Sequence, residues 1–129
     1  MASSPAEKRE LRPAQRVLIV DDNEDACALL AGLLAAHGYE VEMAGEADDA
    51  LLIATRFRPQ VVVLDIGLPG IDGWELARRL RGISGLEQIR LVALTGYGSE
   101  RDRQRSREAG IDEHLLKPIG VALLTRAFA

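Results

Sequence analysis

The chain is predicted to form an α/β domain: a doubly wound, five-stranded parallel sheet, order 2-1-3-4-5, with helices on both faces. Three observations carry this expectation. Five short apolar runs alternate with segments of helical period. Successive runs lie about fifteen to twenty-five residues apart, whereas a hairpin needs two to five and a parallel crossover a dozen or more. The run Val61-Val-Val-Leu64 has three β-branched residues and no polar alternation, the pattern of a strand buried on both faces.

The elements follow in order. Arg16–Val20 is an apolar strand ending in acids. Asn23 to His37 carries Ala26, Leu29, Leu30, Leu33 and Leu34 at helical spacing, and Gly38 stops it. Glu40–Ala44 is a short strand. Ala47–Phe57 is a helix with Ala47, Ala50, Leu51, Ala54 and Phe57 on one side, broken by Pro59. After Val61–Leu64, the residues Gly67, Pro69, Gly70 and Gly73 make a loop. Trp74–Arg81 is a helix, with Trp74 expected to pack under the loop before it. Arg90–Leu94 is a strand. Ser99, with Asp102 three residues on, starts a helix that runs to Ala109 and stops at Gly110. His114–Leu116 is the last strand and Gly120–Phe128 the last helix.

Composition agrees with a single domain. The chain has 129 residues, 47% of them apolar and 28% charged, which excludes disordered, collagen-like and coiled-coil classes. Residues 1–15 have charges and two prolines but no hydrophobic stretch, so they read as a flexible tail ahead of a domain over 16–129. The net charge of −4 disfavours a nucleic-acid partner. The longest apolar run, Ala26–Ala36, is eleven residues, and spanning a bilayer takes about 20, so no membrane partner is expected. A single cysteine, Cys27, fits a reducing, cytoplasmic location and reads as a buried small hydrophobe. Of sixteen basic residues only Lys8 and Lys117 are lysines, which singles out Lys117 within the domain. Arg101, Arg103, Arg105 and Arg107 fall on two helix faces, diluted by Asp102 and Glu108, and read as a solvated surface.

In a doubly wound sheet, ligands sit at the carboxyl ends of the strands. Strand one ends in Asp21-Asp22, strand three in Asp65, strand four in Thr95 and strand five in Lys117-Pro118. With strands one and three adjacent, three carboxylates converge beside one hydroxyl and one ammonium. Read alone, Asp21 and Asp22 would cap the next helix; opposite Asp65 and Lys117 they read as ligands. Clustered carboxylates repel and need a cation or the lysine to stay ionised. An all-oxygen donor set suits Mg²⁺, which keeps coordination positions for phosphate oxygens. An Asp carboxylate can itself be the nucleophile in phosphoryl transfer.

These residues resemble the receiver domain of two-component response regulators over about residues 16–128. The resemblance rests on Val17-Leu-Ile-Val-Asp-Asp22, Leu64-Asp-Ile-Gly-Leu-Pro-Gly-Ile-Asp-Gly73, Ala93-Leu-Thr-Gly96 and Leu116-Lys-Pro118. It implies a flavodoxin-like (βα)5 fold and a bacterial, cytoplasmic phosphoprotein that catalyses its own phosphorylation. It implies that Asp65 takes a phosphoryl group from a histidine of a kinase or phosphotransfer protein. Asp22, Asp65 and the Gly67 carbonyl would hold Mg²⁺, with Asp21 acting through a water. Lys117 would pair with the phosphoryl group and, before transfer, with Asp65. The N–H groups of Ile66 and Gly96 would hold phosphoryl oxygens, and the Lys117–Pro118 peptide would be cis. Thr95 would move toward the phosphoryl group and pass the change to the surface of the fourth helix, fifth strand and fifth helix. The switch position three residues before the lysine is His114 rather than the commoner Tyr or Phe.

Other readings differ in class. A receiver excised from a hybrid histidine kinase is suggested by Ala93-Leu-Thr-Gly-Tyr-Gly98 and the short last helix. A haloacid-dehalogenase-type phosphatase would carry Asp-x-Asp, but the second position is Gly67. A flavodoxin-like flavin carrier needs a hydroxyl-rich loop after strand one, where this chain has Asp21-Asp22-Asn23-Glu24-Asp25. A degenerate docking receiver would not keep the full set of acids.

Overall fold

A computed structural model describes residues 15–66, 72–96 and 100–129. The expected tail, the Gly67–Gly70 part of the loop, Tyr97 and the Ser99 helix start lie outside the described residues, apart from Gln15 at the end of the tail. Within them the elements alternate: β1 (Arg16–Val20), α1 (Glu24–Ala36), β2 (Glu40–Ala44), α2 (Ala47–Phe57), β3 (Val61–Asp65), α3 (Gly73–Arg81), β4 (Arg90–Thr95), α4 (Glu100–Glu108), β5 (Glu113–Leu116) and α5 (Val121–Arg126). The strands form one parallel sheet in the order β2-β1-β3-β4-β5.

Side-chain alternation divides the core into two layers. Leu18, Val20, Val62, Leu64, Leu91 and Ala93 face one way and pack with the small residues of α2 and the apolar stripe of α3. Val17, Ile19, Val61, Val63, Val92 and Leu94 face the other way and pack with Cys27, Leu34, Leu124 and Phe128. Every residue of Val61–Leu64 is buried, as the unbroken apolar run requires. Each such aliphatic side chain contributes roughly 1.5–3 kcal/mol relative to exposure.

Helix ends follow local chemistry. Asn23 caps α1, its side-chain oxygen accepting from Ala26 N–H at 3.0 Å, and Asp72 caps α3 through Glu75 N–H at 2.8 Å. Gly38 and Gly110 take positive φ just past α1 and α4 (94° and 84°), where an L side chain is strained. Gly73 begins α3 against the sheet: a Cβ there would sit 2.8 Å from Ile66 Cα, so only glycine lets α3 approach β3 this closely.

Two expectations need correction. The buried stripe of α1 is Cys27 and Leu34 with Leu30 and Ala31 partly covered, whereas Leu29 and Leu33 are 67% and 42% exposed. The run is apolar around most of the helix, so periodicity did not select the inward face. The loop under which Trp74 is expected to pack lies largely outside the described residues; the indole itself reaches across to α4, donating to Ser106 Oγ with the Arg105 guanidinium 3.9 Å over the ring. The last helix is also shorter than expected; beyond it, Phe128 is buried edge-on against Tyr39, ring centroids 5.4 Å apart.

Candidate functional site

The strand order reverses between β1 and β3, and the carboxyl ends of these neighbours open one crevice. Asp21 leaves β1 with its N–H bonded to Ala44 O, and its Oδ1 accepts from Asn23 N–H at 3.0 Å. That turn aims the second carboxylate oxygen inward. Since Asn23 caps α1, neither Asp21 nor Asp22 is used for capping. Asp65 is the last residue of β3, paired in register with Leu94. Carboxylate oxygens of Asp21, Asp22 and Asp65 lie within 4.8 Å of one another. The expected convergence of three acids is therefore present.

Lys117 follows β5, and its backbone N–H donates to Thr95 O at 2.8 Å. The Lys117–Pro118 peptide is cis. The ammonium lies 3.2 Å from Asp21 Oδ2 and 3.4 Å from Asp65 Oδ2, so it bridges two acids rather than serving Asp65 alone. Partial burial disfavours its charge, but the hydrogen bond to Asp21 and the charge of Asp65 together outweigh that and hold its pKa above the ordinary lysine value. The raised value keeps the ammonium charged at every pH below that of a free lysine.

Thr95 closes β4, buried to 7% exposure, and Gly96 after it is exposed. Ile66 N–H donates to Leu94 O at 3.4 Å, the long end for such a bond. The β4–β5 register sets Ala93 opposite His114 and Thr95 opposite Leu116, so Thr95 and His114 share one face of the sheet. His114 is partly buried, with Nδ1 2.8 Å from Ser106 Oγ. Gly67 lies outside the described residues.

Sequence reasoning missed two features. An open cavity of about 440 Å³ flanks Asp21 between α1 and the end of β2, lined by Glu24, Asp25, Cys27 and Met43 among others. Arg81 ties α3 to the turn before β5, donating to Gly110 O at 2.7 Å and to Asp112 Oδ2 at 2.9 Å, while Asp112 accepts from Leu91 N–H. Ion-pair partners 31 residues apart leave no local signal.

Cys27 is buried as expected, and burial, helped by the nearby Asp21 charge and opposed by Lys117, pushes its thiol from 9.0 up to about 11. Thiolate is the reactive form. A rise of that size leaves roughly 100-fold less thiolate near neutral pH, so iodoacetamide should alkylate the native protein about 100-fold more slowly than the urea-unfolded chain. Equal rates would show an ordinary, accessible thiol.

A doubly wound sheet of this order, with acids and a lysine at its switch point, defines the CheY-like class of flavodoxin folds. The chain belongs to the response regulator receiver domain family, which it matches over residues 17–129. It is 36% identical over 110 residues to a 14.6 kDa protein of Leptolyngbya boryana, covering 85% of this chain and 84% of that one. It is 36% identical over 107 residues to sporulation initiation phosphotransferase F of Bacillus subtilis, covering 83% and 85%. Against the response regulator PleD of Caulobacter vibrioides, 36% identical over 109 residues, it spans only 24% of the relative's length. Among solved structures, the chemotaxis response regulator CheY4 of Vibrio cholerae superposes with a TM-score of 0.83 at 28% identity, covering 89% of this chain and 99% of that one. A Burkholderia pseudomallei response regulator with a phosphorylated aspartic acid and a calcium ion gives 0.84 at 30%, covering 89% and 66%. Family membership replaces the phosphatase and flavin-carrier readings. Among the described residues, no helix is long and apolar enough to cross a membrane.

Proposed function

We propose that this receiver domain is a Mg²⁺-dependent phosphoacceptor switch in which Asp65 takes the phosphoryl group from a phosphohistidine of a histidine kinase or phosphotransfer protein. The observation that carries the reading is the Lys117 ammonium held 3.4 Å from Asp65 and 3.2 Å from Asp21 beside a third carboxylate. The Burkholderia pseudomallei relative, with its phosphorylated aspartic acid and a divalent ion, supports the same chemistry here.

The donor set fits a hard cation: all its ligand atoms are carboxylate oxygens, and no soft ligand is among them. Asp22, Asp65 and the Gly67 carbonyl would hold Mg²⁺ directly, and Asp21 through a water. Bound there, the ion supplies positive charge between the carboxylates and the incoming phosphoryl oxygens. An oxygen of Asp65 attacks phosphorus in line, the P–N bond breaks, and its electron pair stays on the departing imidazole. Lys117 then balances charge on the equatorial oxygens. Ile66 N–H exchanges its long bond to Leu94 O for a phosphoryl oxygen, and Gly96 N–H and the Thr95 hydroxyl donate to the others. The backbone bond from Lys117 N–H to Thr95 O joins the ends of β4 and β5, so movement at Thr95 reaches the surface of α4, β5 and α5. His114 is the switch residue on that surface, which would engage a downstream protein.

The test is incubation with phosphoramidate, with and without Mg²⁺. Stoichiometric, acid-stable and base-labile labelling is expected with the ion and little in excess EDTA. Equal labelling in both would remove the metal from the reading, and none in either would remove the phosphoacceptor role.

A further inference from the structure

Three side chains from three elements form one hydrogen-bonded chain. Trp74 Nε1 donates to Ser106 Oγ at 2.9 Å, and that oxygen lies 2.8 Å from His114 Nδ1. Trp74 belongs to the first turn of α3, Ser106 to α4 and His114 to β5. Trp74 and Ser106 are both buried, at 8% and 1% exposure.

Chemistry sets the direction of the protons. An indole N–H only donates, and a serine hydroxyl has one hydrogen to give. Ser106 therefore accepts from Trp74, and among the described residues the acceptor in reach of its own hydrogen is His114 Nδ1. The imidazole is then held with its proton on Nε2. Were Nδ1 to carry the proton, Ser106 would accept twice and, among the described residues, its hydrogen would be left without an acceptor in a buried position.

We propose that Trp74, Ser106 and His114 form a latch that fixes the switch imidazole in one tautomer against α4 and rearranges when Asp65 is phosphorylated, with Ser106 as the positioning residue. The coupling half rests on the phosphoacceptor reading above; the tautomer half does not. The placement favours coupling from both ends. His114 lies three residues before Lys117, whose N–H is bonded to Thr95 O, and Trp74 sits in the first turn of the helix that follows the Asp65 loop. A shift of α4 relative to either element must break a buried bond of Ser106 or carry both partners with it. Arg105, stacked on the Trp74 ring, adds a second tie between α3 and α4.

The test uses long-range ¹H–¹⁵N NMR of the His114 ring in the unphosphorylated wild type, Ser106→Ala and Trp74→Phe. A single Nε2–H tautomer is expected in the wild type. A mixture is expected in both variants, because each removes one determinant of proton direction. Alanine suits a helix interior, and Trp74→Phe keeps the ring under Arg105, so the two variants perturb folding differently. Beryllofluoride with Mg²⁺ then mimics the phosphoryl group: the wild-type His114 ring signals should move, and α4 amides of Ser106→Ala should already lie several-fold further along that path before addition. A wild-type Nδ1–H tautomer, or an unchanged tautomer in both variants, overturns the latch. Ring signals that stay fixed while Asp65-loop amides respond overturn the coupling alone. No response anywhere indicts the phosphoacceptor reading and leaves the tautomer result standing.

Discussion

Asp65→Asn should reduce labelling by phosphoramidate to background while leaving the fold intact. The amide oxygen of Asn is uncharged and a far weaker nucleophile than a carboxylate, so the step that forms the O–P bond loses its attacking group. The substitution preserves shape at the end of β3. Its effect on stability is small because two terms oppose one another. Lys117 loses one of its two acids, but the repulsion among Asp21, Asp22 and Asp65 is also relieved. A change within about 1 kcal/mol is expected from urea denaturation without Mg²⁺, as for partly exposed ion pairs. Label that persists in Asp65→Asn would move the acceptor to another carboxylate.

Lys117→Ala should slow labelling by about 10²–10³-fold, the usual cost of removing one charge-stabilising donor from a transition state. The fold should survive. The pair with Asp21 and Asp65 is charge-assisted, but the lysine side chain is 36% exposed, so solvent screening limits its contribution to about 1 kcal/mol. The sign of the pH dependence is fixed by the raised pKa of Lys117. The stabilisation is fully present below the ordinary lysine value of 10.5 and is lost as pH rises through the higher folded value. The difference between wild type and Lys117→Ala should therefore be flat across neutral pH and shrink only in strong alkali, as read by denaturation midpoints. The variant, once labelled, should also fail to shift the amides of α4, β5 and α5. A normal response of that surface would show that the ammonium is not the link between phosphoryl group and output.

The strands were the most legible part of the chain. Val61–Leu64 and Leu91–Leu94 are buried on both faces, so each residue carries the signal, and the long spacings between runs left a parallel sheet as the available topology. The site acids and Lys117 were legible because a doubly wound sheet brings strand ends together wherever the intervening helices go. Relations between elements were less so. In α1, an apolar surface nearly all round hid which stripe faces the sheet. Trp74 and Ser106 stand 32 residues apart, and α4 reads as a charged, solvated helix; nothing local marks its one buried serine. Lys117 was expected beside Asp65, but it also holds Asp21, because the turn through Asn23 presents the second Asp21 oxygen to the crevice.

The most direct measurement is chemical identification of the acceptor. Protein treated with phosphoramidate and Mg²⁺ is reduced with borohydride, which converts an acyl phosphate of aspartate to homoserine, and the peptides are sequenced by mass spectrometry. Homoserine at position 65, formed only when both donor and Mg²⁺ are present, is the expected result. Homoserine at position 21 or 22 instead, or none at any position, would contradict a phosphoryl group carried by Asp65.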